Sequence, residues 1–183
     1  MIITAKLKDG IRFLCLSIVS LSGWAGMLNP VQAQSVSQCT FSRITPGIIV
    51  KSSTGLKALE ASNGLLEGSN GSTGSVALNC TGPGTLVSIG LPTLNFAPTG
   101  FIPTIKHALV QDISNITATG NMFVSNGGGS FTHAPWAGRS TAPLSIIKGN
   151  HTLSIGMIVG ENIIGSPPSG FYSYSTVLTV VPK

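Results

Sequence analysis

HTLSIGMIVG (151–160) and GFYSYSTVLTVV (170–181), joined by ENIIGSPPS (161–169), are the stretch whose reading decides the fold. Leu153, Ile155, Met157 and Val159 recur at every second position after His151, the spacing that lines one face of a strand. Gly165, Ser166, Pro167, Pro168, Ser169 and Gly170 then break the pattern with residues that favour turns and cannot continue a ladder. In the second part Tyr172, Tyr174, Thr176, Leu178 and Val180 alternate with Ser173, Ser175, Val177, Thr179 and Val181, a composition suited to a pleated surface. The two parts read as a C-terminal hairpin. The sequence stops at Lys183, so the last strand is expected to have an uncovered edge, and an uncovered apolar edge invites pairing with another chain.

Outward from this hairpin the chain keeps the same character. Further strands are predicted over Phe41 to Val50, with Pro46-Gly47 as a break or bulge, and over Gly74 to Cys80, Thr85 to Leu91, Ile105 to Ile113, Asn121 to Ser125 and Ala142 to Ile147. Gly55 to Leu66 is the best helical segment, but Asn63-Gly64 interrupts it, and a turn or short strand pair fits equally well. The glycine-rich segments Ser69 to Gly74 and Asn126 to Ser130 read as loops. The expected architecture is all-β: an immunoglobulin-like sandwich of about seven or eight strands. No internal repeat or linker divides it, so residues 34–183 form one domain, long enough to bury a real core.

The first 33 residues read as a secretory signal peptide. Lys6, Lys8 and Arg12 open it, an apolar run from Phe13 to Leu28 follows, and Val31-Gln32-Ala33 sets compact side chains before a cut between Ala33 and Gln34. The run is short for a membrane span, which takes roughly 20 residues, so the membrane is expected only during export. Export is then to the cell surface or outside the cell, by way of the periplasm. Cys15 leaves with the leader. Cys39 and Cys80 remain, an even pair in an exported chain, and read as a disulfide.

After the leader the chain carries seven Lys or Arg against four Asp or Glu, a net charge of +3. The basic residues are scattered, whereas nucleic-acid binding needs them clustered. Catalytic patterns are missing. There is no Gly-x-Ser-x-Gly elbow, and His107 and Asp112 are five apart, which on one strand puts them on opposite faces. The carboxylates Glu60, Glu67, Asp112 and Glu161 fall in no glycosidase-like motif. His107, His133 and His151 are isolated, so no metal or other cofactor is expected. Gly127-Gly128-Gly129 opens no helix, which rules against a phosphate loop. Phe131, His133 and Trp136, bordered by that glycine run, are a candidate ligand loop in which aromatic rings stack on a sugar; a loop folded back over the core is the simpler reading. Four Asn-x-Ser/Thr sequences, at Asn70, Asn79, Asn115 and Asn150, matter only in a host that glycosylates such sites.

Gly170, Tyr172, Leu178 and Val180 resemble the closing strand of spore coat protein U domains and related chaperone–usher pilins, a G-x-Y-x-D pattern with an alternating apolar tail. Tyr174 stands where that pattern has its aspartate. The early pair Cys39 and Cys80 is similar to the pilin disulfide. The resemblance implies an incomplete sandwich lacking its last strand, which a periplasmic chaperone, in concert with an usher, and then other pilus or coat subunits supply by strand addition. On that reading Tyr172, Tyr174, Leu178 and Val180 mark the edge that receives the strand. Only Gln34 to Gln38 precede Cys39 after the cut, too few and too polar to act as a donor arm. The subunit then accepts a strand without donating one, or the chain closes its own sandwich, with Ile44 to Val50 as the closing segment. The expected function is an exported structural subunit of a surface appendage or coat; the alternative is a monomeric secreted binding module with a self-closed fold.

Overall fold

The alternating residues after His151 build one 16-residue strand, Gly149–Ile164, in the computed structural model of the chain. The structure describes residues 38–62, 69–82, 84–114, 120–126 and 140–182, and the backbone of 2–7. In chain order the strands are β1 (Ile2–Leu7), β2 (Cys39–Thr45), β3 (Val50–Lys51), β4 (Leu56–Ala61), β5 (Gly74–Cys80), β6 (Thr85–Ile89), β7 (Thr93–Phe96), β8 (Ile105–Asp112), β9 (Asn121–Ser125), β10 (Leu144–Ile146), β11 (Gly149–Ile164) and β12 (Ser173–Val181). From Cys39 onward the fold is all-β: β2, β3, β4, β5, β8, β9 and β11 make one antiparallel sheet, and β6, β7, β10 and β12 make the other.

β11 is the spine of the larger sheet. β8 pairs along one side of it over Leu153 to Gly160; on the other side β5 pairs with Gly149 to Ile155 and β4 takes over from Met157. Such a strand is covered on both faces, and its sequence allows this. Leu153, Ile155, Met157 and Val159 face the core and are fully buried, while the opposite face carries Ser154, Gly156, Ile158 and Gly160. Gly160 is required where it stands, because a Cβ there would lie 2.5 Å from both Cα and Cβ of Ala58.

The core lies between the sheets in two adjoining pools. Val76, Leu78, Val87, Ile89, Ala108, Val110, Leu153, Ile155, Leu178 and Val180 form the larger one. Leu59, Ala61, Phe101, Met157, Val159 and Tyr174 form the smaller. Each pool contains residues of both β11 and β12. The disulfide Cys39–Cys80 joins directly opposed residues of β2 and β5, 41 positions apart in sequence.

Several expectations are corrected. The two C-terminal strands are no hairpin: β11 belongs to the larger sheet and β12 to the smaller. Both carry an apolar face, and those faces are buried by meeting across the core rather than by lying side by side, so 165–172 crosses from one sheet to the other. Gly170 suits this crossing, with φ 148° and Pro98 Cγ 2.6 Å from where a Cβ would stand. Strands are more numerous than the seven or eight expected, because β3, β4 and β7 are short and lack long alternation. The segment Phe41 to Val50 breaks after Thr45: only Ile48, bridged to Ser72, and Val50, at the start of β3, return to pairing. Of the readings left open for Gly55 to Leu66, the strand holds over Leu56 to Ala61, with Leu59 and Ala61 on its core face; residues 63–66 lie outside the described residues.

Candidate assembly edge along the terminal strand

β12 is positioned by its alternation. Tyr174, Thr176, Leu178 and Val180 are buried, and Ser173, Ser175, Val177, Thr179 and Val181 lie on the other face. Along one side β6 pairs with Leu178 to Val181 and β7 with Ser173 to Ser175. Along the other side runs β1, parallel to it, from Ile2 opposite Ser175 to Leu7 opposite Val180. β1 also comes up against β2 of the larger sheet, so it stands where the two sheets would otherwise part. β12 is therefore paired on both sides, contrary to the expectation of an open edge. The segment that closes it is not the one expected. Ile44 pairs with Val76, Ile48 bridges Ser72 and Val50 pairs with Glu60, so Ile44 to Val50 never reaches β12.

The named edge residues serve the core more than the edge. Tyr174, Leu178 and Val180 point inward and are fully buried. The Tyr174 hydroxyl has no hydrogen-bond partner among the described residues, and burial raises its pKa. Tyr172 lies just before β12 and is half-buried: its hydroxyl donates to the Pro168 carbonyl at 2.5 Å and its ring meets Phe101 edge-on at 5.1 Å. The edge itself is backbone, taken up by β1 from Ser175 to Val180. Beside its start sits an exposed aromatic pair, Phe96 and Phe171, with ring centroids 5.8 Å apart and Phe171 70% exposed. The neighbouring Lys57–Glu161 ion pair, 2.8 Å long, lowers the Glu161 pKa through the lysine's hydrogen bond.

Ala33 and Gln34, at the expected cut, and Phe131, His133 and Trp136, the candidate ligand loop, lie outside the described residues.

Two buried polar groups were not foreseen from sequence. Glu60 is fully buried, where its carboxylate accepts hydrogen bonds from the Ser52 hydroxyl at 2.7 Å, from the Ser53 hydroxyl and from the Asn70 backbone. Asp112 and His151 form a buried pair, with His151 Nδ1 2.7 Å from Asp112 Oδ2. His107 does not join them, because it faces the other side of β8 and stacks on Phe123. A signal for the pair was present. His151 continues the core-facing series Leu153, Ile155 and Met157, and Asp112 continues Ala108 and Val110. Two ionisable residues at core-facing ends of their strands require each other. The ring's second nitrogen faces the Ile147 carbonyl at 2.8 Å, so the geometry offers no free imidazole lone pair to act as a base. Among the described residues no three His, Cys, Asp or Glu gather as metal ligands.

No family model, no curated protein and no solved structure matches the chain.

Proposed function

We propose that the protein is an exported structural subunit whose sandwich is completed by a strand laid against β12. The observation that carries this reading is that, among the described residues, the far side of β12 is paired only by Ile2–Leu7, within the segment that reads as a leader. Removal of the leader leaves the backbone groups of Ser175 to Val180 unpaired on that side. Leu178 and Val180 of the core lie behind them. An edge of that length is a template for strand addition.

Strand order supports the same reading. Adjacent strands β2, β5, β11 and β8 follow the A-B-E-D order of an immunoglobulin-type sheet, and β6 beside β12 follows C-F. The partner sheet of such a sandwich has a seventh strand beside F, and β1 occupies that place. It runs parallel to β12, and parallel pairing is slightly weaker per residue than antiparallel, so an antiparallel strand from another subunit has an advantage over it.

A periplasmic preparation provides the test. Mass spectrometry fixes the N-terminus of the secreted protein, and light scattering gives its mass in solution. A chain processed after Ala33 is expected to form multimers or to carry a bound chaperone. A processed chain that stays monomeric, partner-free and as stable as the full-length protein refutes assembly. The second reading, a self-closed secreted binding module, is favoured by the pairing of β1 itself, and it requires that Ile2–Leu7 remain on the secreted protein.

A further inference from the structure

The charges of the chain lie to one side of the sandwich. Among the described residues from Cys39 onward, every Lys, Arg, Asp, Glu and His sits on a strand of the larger sheet, save Lys148 in the turn that leads into β11. β6, β7, β10 and β12 carry none. Lys6 on β1 is in register with Thr179, at the margin of the smaller sheet.

The outward face of that sheet mixes hydroxyls with apolar side chains. On β12 it shows Ser175, Val177, Thr179 and Val181, with Val181 opposite Leu86 of β6. Phe96, opposite Ser173, stands with Phe171 at one end, and Ile147 stands exposed beyond β10 at the other. The Ser175 hydroxyl donates to Asn95 Oδ1 at 3.1 Å, within the face. β12 runs nine residues, about 30 Å, and four strands abreast, with β1 or an added strand at the edge, span about 19 Å. One such face offers about 570 Å² and two offer about 1,100 Å², where a specific interface needs about 1,000 Å² in total.

We infer that this face docks a second copy of the chain, sheet on sheet. Burying the strands β6, β7, β10 and β12 strips no ionised group of its water, the cost that keeps charged surfaces apart. Pairing about a two-fold axis sets a patch against the same patch. Like charges repel in that arrangement. Hydroxyls both donate and accept, so they can meet their own kind, and valine and phenylalanine side chains pack on theirs. Twisted sheets stack with their strands about 30° apart and about 10 Å between them. The pair then holds Lys148 at its rim and the two charged sheets outside. Phe96 and Phe171 anchor the contact. Docking on the face is perpendicular to strand pairing along β12, so it neither needs nor blocks a strand added at that edge.

The test is sedimentation equilibrium on the protein in its secreted form, at about 100 μM, a concentration that populates dimers held by micromolar constants. The native chain is compared with Val177→Lys, which sets a charge on the face, and with Thr45→Lys, an exposed position of the larger sheet. Native protein and Thr45→Lys are expected to sediment at twice the mass of Val177→Lys. The native affinity is expected to hold or rise between about 50 mM and 500 mM salt, because only the net charges of the two copies are screened. Strand addition works through the backbone edge of β12, which an outward lysine leaves intact, so multimers built that way keep their mass in all three chains. Equal masses in the three chains therefore overturn the face contact without touching strand addition. A halved mass in Val177→Lys supports the contact even where no strand is added. Affinity that falls with salt overturns it, and so does a native monomer, whether or not that monomer is retained on an insoluble polysaccharide. If Val177→Lys does not fold, Val181→Lys on the same face takes its place with the same expected outcomes.

Discussion

Acidification from pH 7 to pH 4 is expected to destabilise the protein through His107, and replacing that one side chain removes this part of the loss. His107 is 5% exposed on β8 and stacks on Phe123 with ring centroids 5.6 Å apart. Burial lowers its pKa from 6.5 to about 4, because the charged imidazolium loses its hydration there. In the unfolded chain the ring protonates near 6.5. Between pH 6.5 and about 4 the unfolded state therefore binds a proton that the folded state refuses, and stability falls with pH across that window. Above it the contribution is intact, and below it the loss is complete. The gap between the two values corresponds to about 3 kcal/mol. With a urea dependence of about 1–3 kcal/mol per molar, the unfolding midpoint drops by roughly 1–3 M from this group alone. Urea titrations at half-unit steps from pH 7 to pH 4, on the native chain and on His107→Leu, measure the effect by difference. If the two chains lose stability in parallel across the window, His107 is not the titrating group and the reasoning fails.

Three further outcomes are expected. Replacing both Cys39 and Cys80 by Ala opens a loop of 41 residues and costs about 4 kcal/mol in the chain-entropy estimate, read as a lowered urea midpoint relative to the oxidised protein. Leu178→Ala removes a fully buried side chain from the larger core pool and is expected to cost about 2–5 kcal/mol by the same titration; a change under about 1 kcal/mol would mean that β12 is not packed as described. Gly160→Val drives a side chain into the Ala58 backbone and is expected to lower the thermal midpoint markedly, whereas Gly100→Ala, whose Cβ would meet open space, should cost less and only through its positive φ of 85°.

Much of the fold was legible in the chain because its signals are local. Alternation at Leu153 to Val159 and Tyr174 to Val180 marks two strands, since pleating sends successive side chains to opposite faces whatever surrounds them. Asn121 to Ser125, Gly74 to Cys80 and Ile105 to Asp112 were recovered nearly to the residue for the same reason. The disulfide followed from parity in a chain that reads as exported: with Cys15 inside the segment that reads as a leader, Cys39 and Cys80 are left to pair with each other. Short edge strands such as Thr93–Phe96 escaped, because one exposed turn of pleat leaves too few apolar positions to show a period.

Partnership was decided only in three dimensions. Alternation states that a strand has an inner face; it does not state which strand lies beside it. Hence β11 and β12 look like a hairpin in sequence and stand in opposite sheets. Ile44 to Val50 looks free to close the fold and is instead pinned beside β5 and β4. The side of β12 left over was taken by Ile2–Leu7, distant in sequence and near in space. Asp112 and His151 meet for the same reason: backbone pairing sets two strand ends together, and low dielectric then makes each buried polar group the other's necessary companion.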